Sequence, residues 1–506
     1  MSIPTTDPRS GETRETGIEA TTAAGVAAIT AAAHAAYLDV RDQPRAWRSG
    51  LLRALADGLD ARRTELVETA QAETGLAATR LDGEVTRCVM QFRMFADAVD
   101  DGGYLEVAID HAATTPMGPA PDIRRMLVPL GPVAVFGASN FPFAFSVPGG
   151  DTASALAGGN PVIVKAHGSH PLTSKLAFEV LATAATGAGA PAGTLGIVYG
   201  QAAGATLVAD PRVTAVGFTG SLSTGRILLD IIEKRERPIP FYGELSSVNS
   251  LVITAGAVAA RGPAIAEGLF TSVTGSAGQL CTKPGIAFVP ADAAGDALVA
   301  ELVARAEAAA PQPLLNRRIR DAFEEISDRL RGAGKARELV AAVVGDEGFA
   351  LGPAVLEIDA ADVTPDVTEE AFGPLVVLVR YRNLDEVRSA LAAIPDSLTA
   401  TVHAEDDETT EIAALTEALR DVAGRLVFNG YPTGVRVSWA QHHGGPWPAT
   451  NTLHTSVGMS AIRRFLRPLA WQNAPESVLP PELRDGETGI PRRVDGVLQL
   501  ARTLTA

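Results

Sequence analysis

Between residues 133 and 234, short apolar runs alternate with longer stretches whose apolar positions recur at helical spacing. The apolar runs predict four strands, at 133–136, 162–164, 195–198 and 215–218. The stretches between them predict helices around 151–157, 172–184, 202–209 and 223–234. This alternation indicates a parallel sheet with crossover helices, in which ligands bind at the carboxyl ends of the strands.

The flanking regions follow other patterns. Helical spacing dominates residues 19–99, Gly102 and Gly103 end it, and residues 104–129 predict a projecting hairpin. A second α/β region is predicted over 245–437, with strands that include 251–253, 286–289 and 375–379 and a helix at 294–308. From Leu453 onward the chain is rich in proline and is predicted to be irregular.

One uncharged stretch, residues 127–150, is long enough to span a membrane. It contains four prolines and four glycines, and a spanning helix must satisfy its backbone internally. We therefore interpret it as a strand, a loop and the start of a helix, and no membrane partner is expected.

Composition and charge exclude several classes of protein and of binding partner. The 506 residues are 46% hydrophobic and 20% charged, which excludes a disordered chain, and the net charge of −16 disfavours nucleic acid as a partner. The only two cysteines, Cys88 and Cys281, exclude a disulfide framework, and the polar start predicts a cytoplasmic protein. No CxxC or HExxH motif occurs, and His442-His443 is interpreted as a surface or interface turn, so no metal is expected.

A glycine turn, Gly220 to Gly225, follows the strand predicted at 215–218. The glycines allow close backbone approach, and Ser221 or Ser223 can cap a helix whose free N–H groups face a phosphate. Arg226-Ile227 stands where a P-loop requires Lys-Ser/Thr, which rejects a P-loop. A purely structural turn is the simpler alternative.

Four further residues suggest chemistry. Cys281 lies in a glycine-rich loop, which suits a nucleophile, whereas Cys88 lies in a helical pattern and is interpreted as a buried apolar residue. Uncharged neighbours of Glu244 would raise its pKa toward that of a base, and Asn140 is a loop amide able to bind an oxyanion. Lys165 ends an apolar run. The structural alternatives are a buried thiol, a solvated carboxylate, a turn amide and an exposed strand-end charge.

In their order and wording these segments resemble the aldehyde dehydrogenase superfamily over nearly the whole chain. The matching motifs are Ser139-Asn140-Phe141-Pro142, Val164-Lys165, Phe218-Thr219-Gly220-Ser221 with Gly225, Glu244-Leu245, Gly278-Gln279-Leu280-Cys281, Glu370-Ala371-Phe372-Gly373-Pro374 and Asn429-Gly430-Tyr431-Pro432-Thr433-Gly434. The resemblance implies Cys281 as nucleophile, Glu244 as general base and Asn140 as oxyanion donor. It also implies cofactor contacts from Lys165, Gly220, Ser221, Gly225, Glu370 and Phe372.

Further segments resemble one branch, which contains 2,5-dioxovalerate (α-ketoglutaric semialdehyde) dehydrogenases. They are residues 140–146, 281–285, 445–450 and 464–468. The branch implies NAD(P)-dependent oxidation of 2,5-dioxopentanoate to 2-oxoglutarate through a cysteine thiohemiacetal and a thioester. A bacterial NADP-dependent fatty-aldehyde dehydrogenase lies near it, so medium- and long-chain aldehydes are an alternative. Acyl transfer to coenzyme A and a non-catalytic scaffold are further alternatives.

One departure from the family bears on the cofactor. NAD-preferring members often place a glutamate three positions after the lysine, and this chain has Gly168 there. Without that carboxylate to repel a 2′-phosphate, NADP is favoured over NAD. His167, Ser169 and Arg212 are expected to contact the phosphate together with Lys165.

A carboxylated aldehyde requires a cation in its tunnel. Arg87, Arg93 and Arg436 are the candidates, with a solvated surface position as the alternative for each.

The resemblance also implies the architecture. We expect a Rossmann-type NAD(P)-binding domain (residues 1–111 and 130–244) and an α/β catalytic domain (245–452). Residues 112–129 and about 453–506 are expected to form bridging elements that pair between subunits, which gives a homodimer or homotetramer.

Overall fold

The computed structural model describes residues 2–333, 335–486 and 489–501. The N-terminal part consists of hairpins and four helices: β1 (Ser2–Thr6), β2 (Thr13–Glu19), α1 (Ala23–Val40), α2 (Arg45–Ala61), α3 (Arg63–Thr74), α4 (Ala78–Asp101), β3 (Val107–Asp110), β4 (Ala113–Thr115), β5 (Gly118–Ala120) and β6 (Ile123–Pro129). Gly102 ends α4 in the left-handed conformation (φ 74°), which confirms the predicted end of the helical region.

The first sheet is built from alternating strands and helices: β7 (Val133–Phe136), α5 (Gly150–Ala157), β8 (Val162–Lys165), α6 (Pro171–Gly187), β9 (Leu195–Val198), α7 (Gln201–Ala209), β10 (Ala215–Thr219), α8 (Leu222–Glu233) and β11 (Phe241–Glu244). The strands are parallel, in the order β11-β10-β7-β8-β9. The apolar side chains of the sheet pack into clusters on both faces, one with α1, α7 and α8 and the other with α2, α4, α5 and α6. The predicted parallel sheet with crossover helices is confirmed.

The second sheet follows in chain order: β12 (Ser250–Ile253), α9 (Ala255–Thr274), β13 (Ile286–Pro290), α10 (Ala293–Glu307), β14 (Gln312–Pro313), α11 (Arg317–Gly332), β15 (Arg337–Val340), β16 (Ala350–Leu351), β17 (Ala354–Asp359), β18 (Leu375–Tyr381), α12 (Leu384–Leu391), β19 (Ser397–His403), α13 (Thr409–Leu419) and β20 (Ala423–Phe428). Seven strands pair in the order β15-β17-β18-β13-β12-β19-β20. Every pair is parallel except β15 with β17.

The C-terminal region is more ordered than predicted. It contributes β21 (Leu466–Gln472), β22 (Arg492–Val494) and β23 (Val497–Gln499) to a third sheet, in the order β21-β6-β3-β22-β23. The prediction of an irregular tail is wrong here, since the proline-rich composition on which it was based does not prevent strand pairing. Pro468 is tolerated since β21 is an edge strand with a neighbour on one side only.

Two segments bear on membranes. Residues 127–150 form the end of β6, strand β7, a loop and the first turn of α5, as predicted. Helix α1 is long and apolar enough to cross a membrane by length and composition alone. In this structure it packs beside α7 and β9, and its Thr30 hydroxyl donates to Asp210 Oδ2 at 2.8 Å.

Candidate active site

Three reactive side chains meet between the first and second sheets. Cys281 Sγ lies 3.7 Å from His443 Nε2, and the same nitrogen lies 2.9 Å from Glu244 Oε1. His443 and Glu244 are buried, whereas the Cys281 thiol is partly exposed. A thiol, an imidazole and a carboxylate within hydrogen-bonding reach can carry out nucleophilic and proton-transfer chemistry.

Glu244 is held by the segment that precedes β21 in the chain. It is the last residue of β11, and a single antiparallel bridge joins it to Thr450. Leu245 N donates to Ala449 O at 2.8 Å, and the Ser456 hydroxyl donates to Glu244 Oε2 at 3.0 Å. With His443 on the other oxygen, both carboxylate oxygens have partners, which is what a buried carboxylate requires.

These partners reverse the predicted pKa shift of Glu244. Burial opposes its ionisation, but the charge and hydrogen bond of His443, with hydrogen bonds from Cys281 and Ser456, hold its pKa below the ordinary value. The expectation of a raised pKa is therefore wrong, because these partners outweigh the effect of burial. Glu244 is ionised at neutral pH and can accept a proton.

The loop before Cys281 is held in a strained conformation. Ser276 and Ala277 both have positive φ (56° and 53°), which is unfavourable for residues with a Cβ. A Cβ on Gly278 would lie 2.2 Å from the Gly373 carbonyl carbon, so the two loops touch through their backbones. Gln279 Oε1 accepts from Leu315 N at 2.9 Å, which fixes the loop from a second side.

The Cys281 backbone is fixed by a residue that carried no local sequence signal. Asn249 Nδ2 donates to the carbonyl oxygens of Cys281 (2.8 Å) and Lys283 (3.0 Å). Burial and the neighbouring charge of Glu244 raise the pKa of the Cys281 thiol well above its ordinary value. The resting thiol is consequently protonated and needs a base before it can attack.

Asn140 adjoins this loop from the first sheet. It lies in the loop after β7, and its Nδ2 donates to Gln279 O at 2.9 Å. Arg80 Nη2 donates to Asn140 O at 2.6 Å, and Glu84 Oε1 accepts from the N–H groups of Phe143 and Ala144 at 2.8 Å each. Helix α4 thus fixes the Asn140 loop, and the amide carries a second N–H that can donate to a further acceptor.

The three candidate cations have different surroundings. Arg87 lies over the Phe145 ring (5.0 Å to the centroid), and its charge acts most strongly on Cys88 and Glu84 and then on Cys281 and Glu244. None of the described residues accepts a hydrogen bond from its buried Nε or Nη2. Burial lowers the pKa of this guanidinium, which nonetheless stays charged.

The other two arginines do not share this position. Arg93 is exposed and pairs with Asp57 at 2.9 Å, because six residues along α4 turn it away from Arg87. Its prediction as a substrate contact is wrong. Arg436 is exposed. Arg425, which precedes it in the chain, has a charge that acts on Cys281.

The predicted cofactor residues after β8 lie at the carboxyl edge of the first sheet. Burial lowers the pKa of Lys165, with which no carboxylate pairs in the described parts of the chain. His167 Nδ1 accepts from Ser169 N at 3.1 Å, and the Ser169 hydroxyl accepts from Asn316 Nδ2 at 2.7 Å. Burial and nearby cations, including Arg318, lower the pKa of His167 well below its ordinary value.

Arg212 lies at the opposite edge of the sheet. It precedes β10 in the chain. Two residues after it, Thr214 N donates to Pro132 O, which lies just before β7, so this segment is at the amino-terminal edge of the sheet. The Arg212 guanidinium is also bound to both oxygens of Asp210, at 2.9 Å each. The prediction of Arg212 as a phosphate contact is therefore wrong.

The glycine turn after β10 fits a dinucleotide. Ser221 caps α8 by accepting from Thr224 N at 3.3 Å, and Gly225 allows α8 to approach Leu245, whose Cδ2 would lie 2.5 Å from an added Cβ. Across the cleft Glu370 Oε2 accepts from Ser247 N at 3.2 Å, and Phe372 beside it is half-buried. Burial raises the pKa of Glu370, while the charge of Lys283 opposes that rise. A helix N-terminus, a buried lysine and a carboxylate suit phosphate and ribose groups.

His443 is the main residue that sequence reasoning missed. The expected surface or interface turn is wrong for it, since its side chain is buried against Cys281 and Glu244. Its partners lie 162 and 199 residues away along the chain. No local pattern reports such contacts.

A profile of the aldehyde dehydrogenase family matches residues 1–446, which is most of the chain. The chain belongs to this family. It is therefore an oxidoreductase that acts on aldehydes, and the resemblance in its motifs is confirmed.

Two relatives and one solved structure are similar to this chain over most of its length. The alpha-ketoglutaric semialdehyde dehydrogenase 2 of Azospirillum brasilense is 45% identical over 467 residues, covering 90% of this chain and 88% of its own. The alpha-ketoglutaric semialdehyde dehydrogenase of Acinetobacter baylyi is 37% identical over 482 residues, covering 92% and 90%. A Thermus 1-pyrroline-5-carboxylate dehydrogenase solved with bound NAD shares the fold at TM-score 0.78 and 23% identity, covering 93% and 90%. Aldehyde dehydrogenases of this family bind NAD(P), and this solved neighbour contains bound NAD.

The electrostatics of the aldehyde dehydrogenase site predict how its thiol reacts. Alkylation of Cys281 by iodoacetamide should accelerate steadily with pH up to about 9, because its raised pKa keeps the thiolate scarce. Glu244→Gln removes the nearest negative charge and should accelerate alkylation at pH 7.5 by about threefold for each unit by which that pKa falls. Buried Cys88 should stay unlabelled, as mass spectrometry of peptides will show.

Glu370→Gln is the matched control, since its carboxylate acts more weakly on Cys281 and should produce a smaller increase. A rate that is already constant near neutral pH would contradict this prediction. It would indicate a thiolate–imidazolium pair of Cys281 and His443 instead.

Proposed function

We propose that this aldehyde dehydrogenase oxidises 2,5-dioxopentanoate to 2-oxoglutarate, with NADP favoured over NAD. The observation that carries the proposal is Arg87, whose charge acts on Cys281 and from whose buried Nε and Nη2 no described residue accepts a hydrogen bond. A substrate carboxylate would satisfy those nitrogens, and a purely aliphatic aldehyde would leave them unpaired. The names of the two relatives support the same substrate.

The reaction begins with addition of Cys281 Sγ to the aldehyde carbonyl. The thiol proton passes to the adjacent Glu244–His443 pair, which is within reach of the sulfur. The free N–H of Asn140 and the backbone N–H of Cys281 stabilise the oxyanion of the thiohemiacetal. Arg87 holds the distal carboxylate so that the carbonyl faces the sulfur.

Bound NAD(P) supplies the hydride acceptor, and loss of hydride from the thiohemiacetal leaves the acyl group as a thioester on Cys281. The proton taken from the thiol is released to solvent, so that Glu244, held by His443 and Ser456, can accept a proton from the water that hydrolyses the thioester. The acid is released, and the sulfur regains a proton from Glu244. A base beside the thioester favours hydrolysis over transfer to coenzyme A.

NADP is favoured by the open space beside Lys165. Gly168 is exposed, and nothing lies within 4 Å of the place where its Cβ would be. Lys165, His167 and Ser169 surround this space as proposed phosphate contacts, and exposed Arg318 on α11 adds a charge near His167. Arg318 takes the role that the sequence had suggested for Arg212.

We propose the domain boundaries, the oligomeric state and the cellular location on the same basis. Residues 1–111 and 130–244 form the cofactor-binding domain, 245–452 the catalytic domain, and 112–129 with about 453–506 the bridging elements. Strands β20 and β21 are both sheet edges, so edge pairing between subunits supports a homodimer or homotetramer. The two free cysteines agree with a cytoplasmic location.

Initial rates of cofactor reduction test the function. The full chain is assayed with 2,5-dioxopentanoate, succinic semialdehyde and hexanal, each with NAD and with NADP. We expect the highest kcat/KM for 2,5-dioxopentanoate with NADP and no turnover by Cys281→Ala. A preference for hexanal would favour an aliphatic-aldehyde enzyme, and a requirement for coenzyme A would favour acyl transfer.

Arg87→Met should lower kcat/KM for 2,5-dioxopentanoate by about 10- to 100-fold, because a charged hydrogen bond contributes about 1.5–3 kcal/mol. Turnover of hexanal should hardly change. Arg93→Met, on the exposed side of the same helix, is the matched control and should behave as wild type. Equal losses for both aldehydes in Arg87→Met would contradict a carboxylate-binding role.

Gly168→Glu should lower kcat/KM for NADP by about tenfold or more, because the new carboxylate repels a 2′-phosphate. Activity with NAD should be kept or improved. Gly187→Glu adds the same charge at an equally open position at the end of α6, on the other edge of the sheet, and should leave both cofactors unaffected. Unchanged NADP use by Gly168→Glu would show that the phosphate binds elsewhere.

A further inference from the structure

The catalytic cluster also has the composition of a metal site. The ligand atoms of Cys281, His443 and Glu244 all lie within 4.8 Å of one another. A thiolate, an imidazole and a carboxylate are the three ligand types that Zn²⁺ uses in proteins. The ligands come from three separate segments: the loop before β13, the turn around His443 and the end of β11.

The distances are close to those of a tetrahedral zinc site. With ordinary bond lengths, sulfur and nitrogen ligands of one Zn²⁺ lie about 3.5 Å apart, and nitrogen and oxygen ligands about 3.4 Å apart. The observed separations are 3.7 Å between Cys281 Sγ and His443 Nε2 and 2.9 Å between that nitrogen and Glu244 Oε1. The separation between His443 Nε2 and Glu244 Oε1 therefore has to widen by about half an ångström to reach the tetrahedral value, while Ser456 orients the other carboxylate oxygen.

Charge favours a divalent cation. When the thiol ionises, Cys281 and Glu244 carry two negative charges in a buried setting, and Zn²⁺ neutralises both. Arg87 and Arg425 are cations that oppose binding, since the charge of each acts on Cys281. A bound metal ion more than offsets them, because coordination to Zn²⁺ deprotonates a thiol outright.

We propose that Cys281, His443 and Glu244 form a reversible inhibitory site for Zn²⁺ or a similar thiophilic cation. The Cys281 S–H bond breaks and its proton leaves to solvent. The proton on His443 Nε2 that faces Glu244 also leaves or moves to Nδ1, so that the ring nitrogen can coordinate. Sulfur–metal and nitrogen–metal bonds replace the S–H and N–H bonds, without any change in oxidation state. The coordinated sulfur is withdrawn from attack on the aldehyde. Mg²⁺ does not bind, because it prefers an octahedral set of oxygen ligands. The proposal concerns the side chains alone and is independent of the substrate.

Thiol protection measures binding without any enzyme assay. Metal-free full-length protein is titrated with Zn²⁺ by calorimetry, and the iodoacetamide rate of Cys281 is measured in parallel. We expect one Zn²⁺ per chain, at least a tenfold slower alkylation that a chelator reverses, and no effect of Mg²⁺. Buried Cys88 contributes no background.

Variants then locate the site. His443→Gln and Glu244→Gln should each weaken zinc binding by at least about tenfold, with folding checked by circular dichroism. His442→Gln changes the neighbouring imidazole, which lies outside the cluster, and should bind zinc as wild type does. No protection of Cys281, or equal affinity in all three variants, would overturn the proposal. Inhibition of turnover is measured separately, so an inactive preparation does not affect this test.

Discussion

The structure of the site depends on the burial of one carboxylate. Glu244 is almost fully enclosed at the end of β11, and an ionised carboxylate in that position is stable only when its oxygens accept hydrogen bonds. His443 and Ser456 provide them, and Cys281 contacts the same group. Folding of the segment from 443 to 456 onto the first sheet is therefore coupled to assembly of the catalytic cluster.

The same carboxylate sets the chemistry of its neighbours. Its negative charge raises the pKa of the Cys281 thiol, while His443 keeps Glu244 itself ionised. The resting thiol is thus protonated, with the ionised carboxylate of Glu244 beside it. Arg87 acts in the opposite direction, since its positive charge lowers the pKa of the thiol.

Local pattern predicted the first sheet well because its strands are short apolar runs bounded by turns. Two of them, Val133–Phe136 and Leu195–Val198, have the predicted bounds. Sequence motifs also identified Cys281, Glu244 and Asn140, which the structure brings together. The errors concern residues whose surroundings are set by the tertiary structure. Arg212 lies before its strand rather than after it, and His443 contacts partners that are far away along the chain. The predicted pKa of Glu244 failed for the same reason, since its hydrogen-bond partners come from the distant segment.

The two sheets contribute to the site from opposite ends of their strands. In the first sheet Asn140, Lys165 and the Gly220 turn lie at or after strand ends, where parallel α/β sheets bind ligands. In the second sheet Cys281 and Glu370 precede β13 and β18, at the amino-terminal edge. His403, buried at the carboxyl end of β19, lies on the other edge, which explains why a second buried imidazole takes no part in the cluster. Because one sheet offers its carboxyl edge and the other its amino edge, the loops that hold Asn140 and Cys281 meet between them, and neither sheet alone assembles this group of side chains.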